Sequence, residues 1–144
     1  MKTAFITGST RGIGKALALR LAKDGYKVIV HGAGNIQKAN EVKEEIKKNG
    51  GVAEVLISDL TDTEKTKILC ENIKNCDVLV LNASLQYRTP WQDITVEACY
   101  EQLNCNFVSS MMLIQAVAEN MKQKGWGRII TIGSVQEAKP HPDM

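Results

Sequence analysis

The sequence predicts an α/β fold in which a doubly wound parallel sheet of about five strands carries helices on both faces. Short apolar runs alternate regularly with longer amphipathic stretches along the 144 residues, as expected of repeated βαβ units. A glycine-rich turn follows the first apolar run, which is typical of the first βα unit of a doubly wound sheet. No repeat or linker interrupts the pattern, so residues 1–144 are predicted to form one domain.

The first half of the chain alternates three strands with two helices. The predicted strands are Thr3–Thr7, Tyr26–Val30 and Val52–Ile57. Apolar residues at spacings of three and four predict the intervening helices, which end at Gly25 and at residues 50–51. The residues of these apolar faces are Ile13, Leu17 and Leu21 in the first helix and Ala39, Val42 and Ile46 in the second.

The second half adds two strands and two helices. Thr61 with Glu64 predicts a capping box that opens a helix, and Asp77–Leu81 predicts a buried strand. An irregular loop at 83–93 precedes a long helix at 96–124, and Arg128–Ile132 predicts the fifth strand. The apolar stripe of the long helix comprises Cys99, Leu103, Phe107, Met111, Ile114, Ala118 and Met121. Residues 140–144 are predicted to lie in a loop.

Composition excludes several classes of protein. Eighteen basic and sixteen acidic residues give a net charge of +2, which does not favour a nucleic-acid surface. No apolar stretch is long enough to span a membrane, and the N-terminus has no signal-peptide core. The cysteines, Cys70, Cys76, Cys99 and Cys105, lack metal-site spacing, so we expect free thiols, no metal site and a soluble cytoplasmic protein.

The glycine turn is the first candidate for a binding site, because such a turn brings backbone N–H groups and a helix N-terminus up to a phosphate. Its residues are Gly8, Ser9, Thr10, Arg11, Gly12, Ile13 and Gly14. The first glycine permits the tight turn, while Gly12 and Gly14 remove Cβ atoms where a pyrophosphate or a neighbouring strand approaches. A purely structural βα turn is the alternative interpretation of the glycines taken alone.

Residues 7–14 resemble the TGxxxGxG cofactor turn of the short-chain dehydrogenase/reductase family, and four later segments resemble that family in the same order. Asp59-Leu60 resembles the pair that contacts the adenine. Asn82-Ala83-Ser84 resembles an Asn-Ala-Gly motif, with serine in place of the glycine. Asn106 falls at the position of the catalytic asparagine, and residues 127–134 resemble the strand that leads to the catalytic serine, Ser134.

The resemblance implies a Rossmann-type fold with the five strands in the order 3-2-1-4-5. It also implies hydride transfer between a nicotinamide and a carbonyl or alcohol carbon. Ser134 would hydrogen-bond the substrate oxygen, and Asn106 would hold a water in the proton path. The family's general acid/base is a tyrosine followed at i+4 by a lysine, about a dozen residues after the serine. The three tyrosines and their i+4 residues are Tyr26 and Val30, Tyr87 and Trp91, and Tyr100 and Asn104. None of these pairs matches.

We therefore expect that the chain alone does not catalyse the reaction, and that it holds only the dinucleotide-binding part of an enzyme. It is either a fragment of a longer enzyme, which the sequence favours, or a naturally short nucleotide-binding relative. A fifth strand without a neighbour leaves an open sheet edge. Family members associate through the long helix, so the resemblance also implies a homo-oligomer formed through residues 96–124.

The choice of nicotinamide depends on the end of the second strand, where a carboxylate would hydrogen-bond the ribose of NAD. Residues 30–35 contain no carboxylate. Arg11 is placed to meet the 2′-phosphate of NADP, and His31 is a second candidate for that contact, although a structural hydrogen bond is the commoner role of a strand-end histidine. The sequence favours NADP over NAD.

Two other functions fit the same fold. One is a non-catalytic dinucleotide sensor or interaction module. The other is a flavodoxin-like phosphate binder, which the segments around Asn82 and Ser134 disfavour. The residues that shape a substrate pocket would lie mostly beyond Met144, so the substrate is left open.

Overall fold

A computed structural model describes residues 1–135, 138 and 139 of the chain. The strands are β1 (Thr3–Ile6), β2 (Lys27–Gly32), β3 (Val52–Ile57), β4 (Val78–Leu81) and β5 (Arg128–Thr131). The helices are α1 (Gly12–Lys23), α2 (Ile36–Lys48), α3 (Thr63–Ile73), α4 (Val96–Leu103) and α5 (Ser109–Gln123). A 3₁₀ turn, Trp91–Asp93, precedes α4, and a π-helical turn, Asn104–Val108, joins α4 to α5. The predicted loop at 140–144 lies outside the described residues.

The sheet confirms the predicted topology. Its strands are parallel and follow the order β3-β2-β1-β4-β5. Ile6, the last residue of β1, pairs with Val30 on one side and Val80 on the other. The carboxyl ends of the central strands therefore open at one edge, and the direction of strand succession reverses between β1 and β4. In open α/β sheets, ligands bind at such a reversal.

Both faces of the sheet are covered by helices, as predicted, because the strand residues alternate between two cores. On one face, strand residues pack against α3 and α5; this core includes Phe5, Ile29, Leu79, Ile73 and Leu113. On the other face, strand residues pack against α1 and α2; this core includes Ile6, Val28, Val80, Ala18 and Val42. All four residues of β4 are buried. Burial of these apolar side chains is the main favourable contribution to folding.

The strand β5 differs from the others because all its residues are exposed. Ile129 pairs with Leu79 and Ile130 with Val80, so the two isoleucines point to opposite faces of the sheet. They are 40% and 46% exposed, respectively. Both faces of the sheet are therefore open at this edge within the described part of the chain.

The predicted capping box at the start of α3 is wrong. Asp62 is the N-cap residue, and its carboxylate accepts hydrogen bonds from the backbone N–H groups of Glu64 and Lys65. These bonds hold the pKa of Asp62 below its usual value. Thr61 instead donates its hydroxyl to Asp59. An Asx cap replaces the reciprocal box because the helix begins at Thr63, one residue later than the box requires.

The predicted long helix is interrupted by the π turn, and its predicted stripe is not one buried face. Leu103, Phe107 and Met111 are exposed, whereas Met121 is buried. The side chains that this segment buries recur at every fourth position instead, and they are Cys105, Ser109, Leu113, Val117 and Met121. The π turn adds one residue to a helical turn. The segment from α4 to α5 thus has two apolar faces. One packs against the sheet, and the other, which includes Leu103, Phe107 and Met111, is exposed.

Two further observations concern membrane-spanning helices and the cysteines. In the part of the chain that the structure describes, no helix combines the length and apolarity that crossing a membrane requires. All four cysteines lie in that part and are free thiols, three of them buried. Burial raises the pKa of Cys76 to about 12, so this thiol is protonated and unreactive at neutral pH. Among the described residues, no group of three acidic, histidine or cysteine side chains could hold a metal ion.

Candidate functional site

A cleft of about 440 Å³ lies at the carboxyl ends of the central strands, where the strand order reverses. It brings together residues from the glycine turn, from the ends of β2, β3 and β4, and from the π turn. The lining residues are Gly8, Thr10, Arg11, Gly12, Ile13, His31, Gly32, Ala33, Asp59, Leu60, Thr61, Asn82, Ala83, Ser84, Leu85 and Cys105. Clefts of this volume accommodate small molecules and cofactors.

The glycine turn requires its first and third glycines for different reasons. Gly8 has φ +64°, a conformation that side chains with a Cβ rarely adopt. Gly14 lies inside the first turn of α1 and is buried. A Cβ at Gly14 would collide with the carbonyl oxygen of Gly8 and would lie 2.6 Å from Nδ2 of Asn82. The turn and the end of β4 therefore pack without room for a methyl group.

Asn82 and Thr7 fasten the glycine turn to β4. The Asn82 side chain donates through Nδ2 to the carbonyl oxygens of Thr7, at 3.0 Å, and Gly8, at 3.1 Å. The Thr7 hydroxyl oxygen accepts the backbone N–H groups of Asn82 and Ala83, each at 2.9 Å. Asn82 thus shapes the wall of the cleft through the backbone of the turn, while Ser84 lies exposed at its rim.

Ser9 and His31 fasten the same turn to β2. Ser9 is fully buried, donates its hydroxyl to the Ile6 carbonyl and accepts the backbone N–H of His31, both at 2.8 Å. Nδ1 of His31 accepts the backbone N–H of Gly8 at 3.1 Å, and Nε2 lies 3.0 Å from the Ser58 carbonyl oxygen. Burial lowers the pKa of His31 from 6.5 to about 4, against the opposing effect of the Ser58 hydrogen bond.

The N-terminus of α1 opens toward the cleft. Arg11 is its N-cap residue, and its side chain caps no backbone N–H within the described part of the chain. In contrast, Asn35 caps α2 and Thr95 caps α4 through side-chain oxygens. The uncapped N–H groups and the helix dipole favour an anion at this position. Arg11 itself is exposed at the cleft and adds a positive charge.

Asp59 and Leu60 form the wall of the cleft that follows β3. The Asp59 carboxylate accepts the backbone N–H of Thr61 at 3.0 Å and its hydroxyl at 2.8 Å, which fixes the backbone in an Asx turn. Leu60 is buried against the core shared with α3 and α5. Cys105 faces this wall, and burial together with the negative charge of Asp59 raises the pKa of its thiol. This wall therefore combines a carboxylate held in a turn with a buried leucine.

Asn106 lies in the π turn and fastens the loop that follows β4. Its Oδ1 accepts the backbone N–H of Leu85 at 2.8 Å, and its Nδ2 donates to the Leu85 carbonyl at 2.7 Å. Asn104 has a different partner, because its Nδ2 donates to the Thr61 carbonyl at 3.0 Å. Each asparagine therefore has its amide bound to backbone, and the two hold different walls of the cleft.

Ser134 follows β5 by three residues and is exposed. It comes from the carboxyl end of the strand beside β4, so it lies at the edge of the sheet that carries the cleft. Within the described residues, the cleft lining does not include Ser134 or Asn106.

The cleft brings together most of the residues that the sequence singled out for the cofactor. The exceptions are Ser9 and Gly14, which in the described structure lie under the turn rather than in the lining. Thr7 belongs to the segment that resembles the cofactor turn, but the sequence did not reveal that its hydroxyl accepts two backbone N–H groups. Its place at the carboxyl end of a buried strand was the available signal. Thr61, Leu85 and Cys105 also line the cleft, although no local pattern in the sequence distinguishes them as binding residues.

Comparison with known proteins adds independent information. A sequence model of the short chain dehydrogenase family matches residues 2–144. The D-beta-hydroxybutyrate dehydrogenase of Rhizobium meliloti is 35% identical over an alignment of 138 positions, which covers 92% of this chain and 54% of that protein. The 3-oxoacyl-[acyl-carrier-protein] reductase FabG of Staphylococcus aureus is 31% identical over an alignment of 145 positions, which covers 98% of this chain and 59% of that protein. The chain thus spans less than two thirds of these relatives.

Solved structures agree with the sequence matches. The 3-oxoacyl (acyl-carrier-protein) reductase of Agrobacterium tumefaciens C58, with NADP bound, superposes with a TM-score of 0.92 and 34% identity, covering 99% of this chain and 56% of that one. A short-chain dehydrogenase of Sphingobium yanoikuyae in complex with NADPH gives a TM-score of 0.93 at 25% identity, covering 100% and 58%. Homologous structures of this fold therefore bind NADP(H).

Proposed function

Because this chain belongs to the short-chain dehydrogenase family, we propose that it forms the dinucleotide-binding domain of an NAD(P)-dependent carbonyl reductase or alcohol dehydrogenase. The observation that carries the proposal is the uncapped N-terminus of α1, which opens into a cleft where the strand order reverses. A nicotinamide dinucleotide bound there would carry the hydride. The proposal treats residues 1–144 as one domain that is incomplete relative to the family.

The cleft fits a dinucleotide in three places. The backbone N–H groups at the start of α1 are available to a pyrophosphate, and the position of the missing Cβ of Gly12 is open space through which it can approach. The wall formed by Asp59 and Leu60 would take the adenine. The wall formed by residues 82–84, which follows β4 on the opposite side of β1, would take the nicotinamide nucleoside. In this proposal Ser9 and Gly14 contribute by shaping the turn.

NADP is the dinucleotide that the site favours. No carboxylate follows β2 at residues 30–35, where NAD-binding proteins place the acidic residue that contacts the ribose. Arg11 is exposed beside the cleft and carries the positive charge that a 2′-phosphate requires. The NADP(H) bound by the homologous structures supports the same choice.

The catalytic residues of the proposal are Ser134 and Asn106. Ser134 would hydrogen-bond the substrate oxygen. Asn106, whose side-chain amide binds the Leu85 backbone, lies in the π turn and would hold a water in the proton path. No tyrosine of the 144 residues has a lysine four positions later, so we propose that this polypeptide alone does not turn over. The free thiols support a reducing compartment, and the proposal places the protein in the cytoplasm.

Calorimetric titration of the 144-residue chain with NADP, and separately with NAD, tests the binding function. We expect saturable binding with NADP preferred. Arg11→Ala should weaken NADP binding by about tenfold, the usual effect of losing one charged hydrogen bond, and should leave NAD binding nearly unchanged. Arg20→Ala is the matched control, because Arg20 lies on the same helix and pairs with Asp24. Absence of binding to either dinucleotide would overturn the proposal.

A non-catalytic dinucleotide sensor or interaction module is the second candidate function. It is favoured by a row of exposed apolar side chains that runs along α4, the π turn and the start of α5. We name this row the outer face. The outer face comprises Val96, Tyr100, Leu103, Phe107 and Met111. We propose that this face forms a homo-oligomer in either case. A reading frame that continues past Met144 into a Tyr-x-x-x-Lys motif would identify an enzyme, and one without it would favour the sensor.

A further inference from the structure

His31 is a buried polar side chain under the candidate site, and the proposed reaction does not use it. It is 1% exposed and lies at the penultimate position of β2. Its ring meets Phe5 edge-to-face, with 5.6 Å between ring centroids. Its ring links two segments, because one nitrogen binds Gly8 of the glycine turn and the other binds Ser58, the residue that follows β3.

The partners of His31 determine its tautomer. The Ser58 carbonyl oxygen can only accept, so Nε2 carries the proton and donates to it across 3.0 Å. The Gly8 backbone N–H can only donate, so Nδ1 is unprotonated and accepts across 3.1 Å. A second proton on the ring would place an N–H opposite the Gly8 N–H. The hydrogen bonds thus require the neutral ring.

The surroundings of His31 also favour the neutral ring. Burial lowers its pKa to about 4, and the Ser58 carbonyl opposes this shift. The charged or titratable residues that face the same cleft are Arg11 from the turn, Asp59 from the segment after β3 and Cys105 from the π turn. The ring is therefore neutral throughout the physiological pH range.

The residue that His31 holds is the one on which the shape of the turn depends. Gly8 has a positive φ, lines the cleft, and receives the Asn82 side chain on its carbonyl. Gly8 is half-buried, and its N–H donates to the fully buried imidazole. Loss of that acceptor would therefore cost the turn a hydrogen bond. Since the Gly8 N–H points to His31, the N–H groups available to a phosphate are those at the start of α1.

We propose that His31 is a positioning residue of the dinucleotide site, and that its neutral imidazole holds Gly8 in the conformation that presents the start of α1 to the pyrophosphate. This inference rests on the proposed function and goes beyond it, because it assigns His31 to the turn instead of to the 2′-phosphate. The two roles differ in their predictions. A positioning role affects NAD and NADP equally, whereas a phosphate contact affects NADP alone.

Two variants separate these roles. His31→Asn keeps an acceptor near the position of Nδ1, and His31→Leu removes it at similar volume. Calorimetry at pH 7.5 should show that His31→Leu binds both dinucleotides about tenfold more weakly, as expected when a backbone N–H loses its acceptor. His31→Asn should bind both within about threefold of wild type. Equal binding by wild type and His31→Leu, or a loss confined to NADP in either variant, would overturn the proposal.

A nitrogen-15 spectrum of the ligand-free wild type provides a readout that does not require binding. We expect Nδ1 unprotonated, Nε2 protonated, and a ring that titrates near pH 4. The Gly8 amide resonance should keep its position in His31→Asn and move in His31→Leu. A protonated Nδ1, or a Gly8 resonance that ignores both substitutions, would refute the positioning role. If the wild type binds no dinucleotide, the proposed function fails, but the spectrum still tests the role of His31. The spectrum of the wild type is also sufficient for this test if His31→Leu does not fold.

Discussion

Gly14 shows how little space separates the glycine turn from the end of β4. Its hypothetical Cβ would collide with the Gly8 carbonyl and crowd Nδ2 of Asn82, and the first of these is backbone that cannot move aside. We expect Gly14→Ala to abolish measurable NADP binding and to lower the melting temperature. Gly34→Ala is the matched control, because within the described residues a Cβ at Gly34 meets nothing within 4 Å. Equal NADP binding by both variants in calorimetry would contradict this packing.

His31 predicts how stability depends on pH. Its pKa falls from 6.5 in the unfolded chain to about 4 in the folded one. Between these values the unfolded state binds more protons, so stability is lost as pH falls from 6.5 toward 4. We expect the histidine to account for a loss of about 2 kcal/mol between pH 7 and pH 5.

The comparison with His31→Asn isolates this contribution, because both proteins share all other titrating groups. Urea unfolding at pH 7 and pH 5 should show the larger loss in the wild type. An identical pH dependence in the two proteins would mean that the buried ring titrates as an ordinary histidine.

Side-chain roles were harder to predict than residue positions. The sequence placed His31 and Asn82 near the cofactor but did not show that both bind the backbone of the turn. Their partners, at Gly8 and Thr7, are distant in sequence and meet only when β1, β2 and β4 pair. Ser9 is a similar case, since its burial follows from its bonds to Ile6 and to the backbone of His31.

The start of α3 tests which residue caps a helix. Because Asp62 accepts the N–H groups of Glu64 and Lys65, Asp62→Ala should lower the melting temperature by a few degrees, as the loss of an N-cap does. Glu64→Ala should change it little, since its side chain only forms an exposed pair with Lys67. A larger effect of Glu64→Ala, measured by thermal unfolding, would favour the capping box instead.

The outer face of α4 and α5 predicts self-association. Phe107 is 67% exposed there, and a contiguous exposed apolar face indicates an interface. We expect Phe107→Glu to reduce the mass observed by light scattering at high protein concentration without lowering the melting temperature. Ile68→Glu on α3 is the control, since Ile68 is 66% exposed but lies off this face. A concentration-independent monomer in the wild type would contradict the prediction.

Helical periodicity predicted the long segment but not its two faces. A spacing of three and four is satisfied both by the outer face, through Leu103 and Phe107, and by the inner one, through Leu113 and Val117. Periodicity alone cannot tell which face meets the sheet. The π turn shifts the apolar residues before it relative to those after it, and a single sequence contains no signal for such a turn.

At the scale of the molecule, the predicted strand order is confirmed. Right-handed βαβ crossovers allow more than one order of five parallel strands, so the prediction depended on the family resemblance. Within the described residues, β5 is exposed on both of its faces. The two relatives compared by sequence are longer, since the chain covers 54% and 59% of them.

The most direct test of the account is an NADP titration of the isotopically labelled chain, followed by its backbone amide resonances. We expect the largest changes at residues 8–13, 59–61 and 82–85, which form three walls of the cleft. A second cleft, of about 470 Å³, lies at the C-terminal ends of α1 and α2 and includes Arg20 and Lys23. Changes confined to that second cleft, or no changes at all, would contradict the assignment of the dinucleotide site.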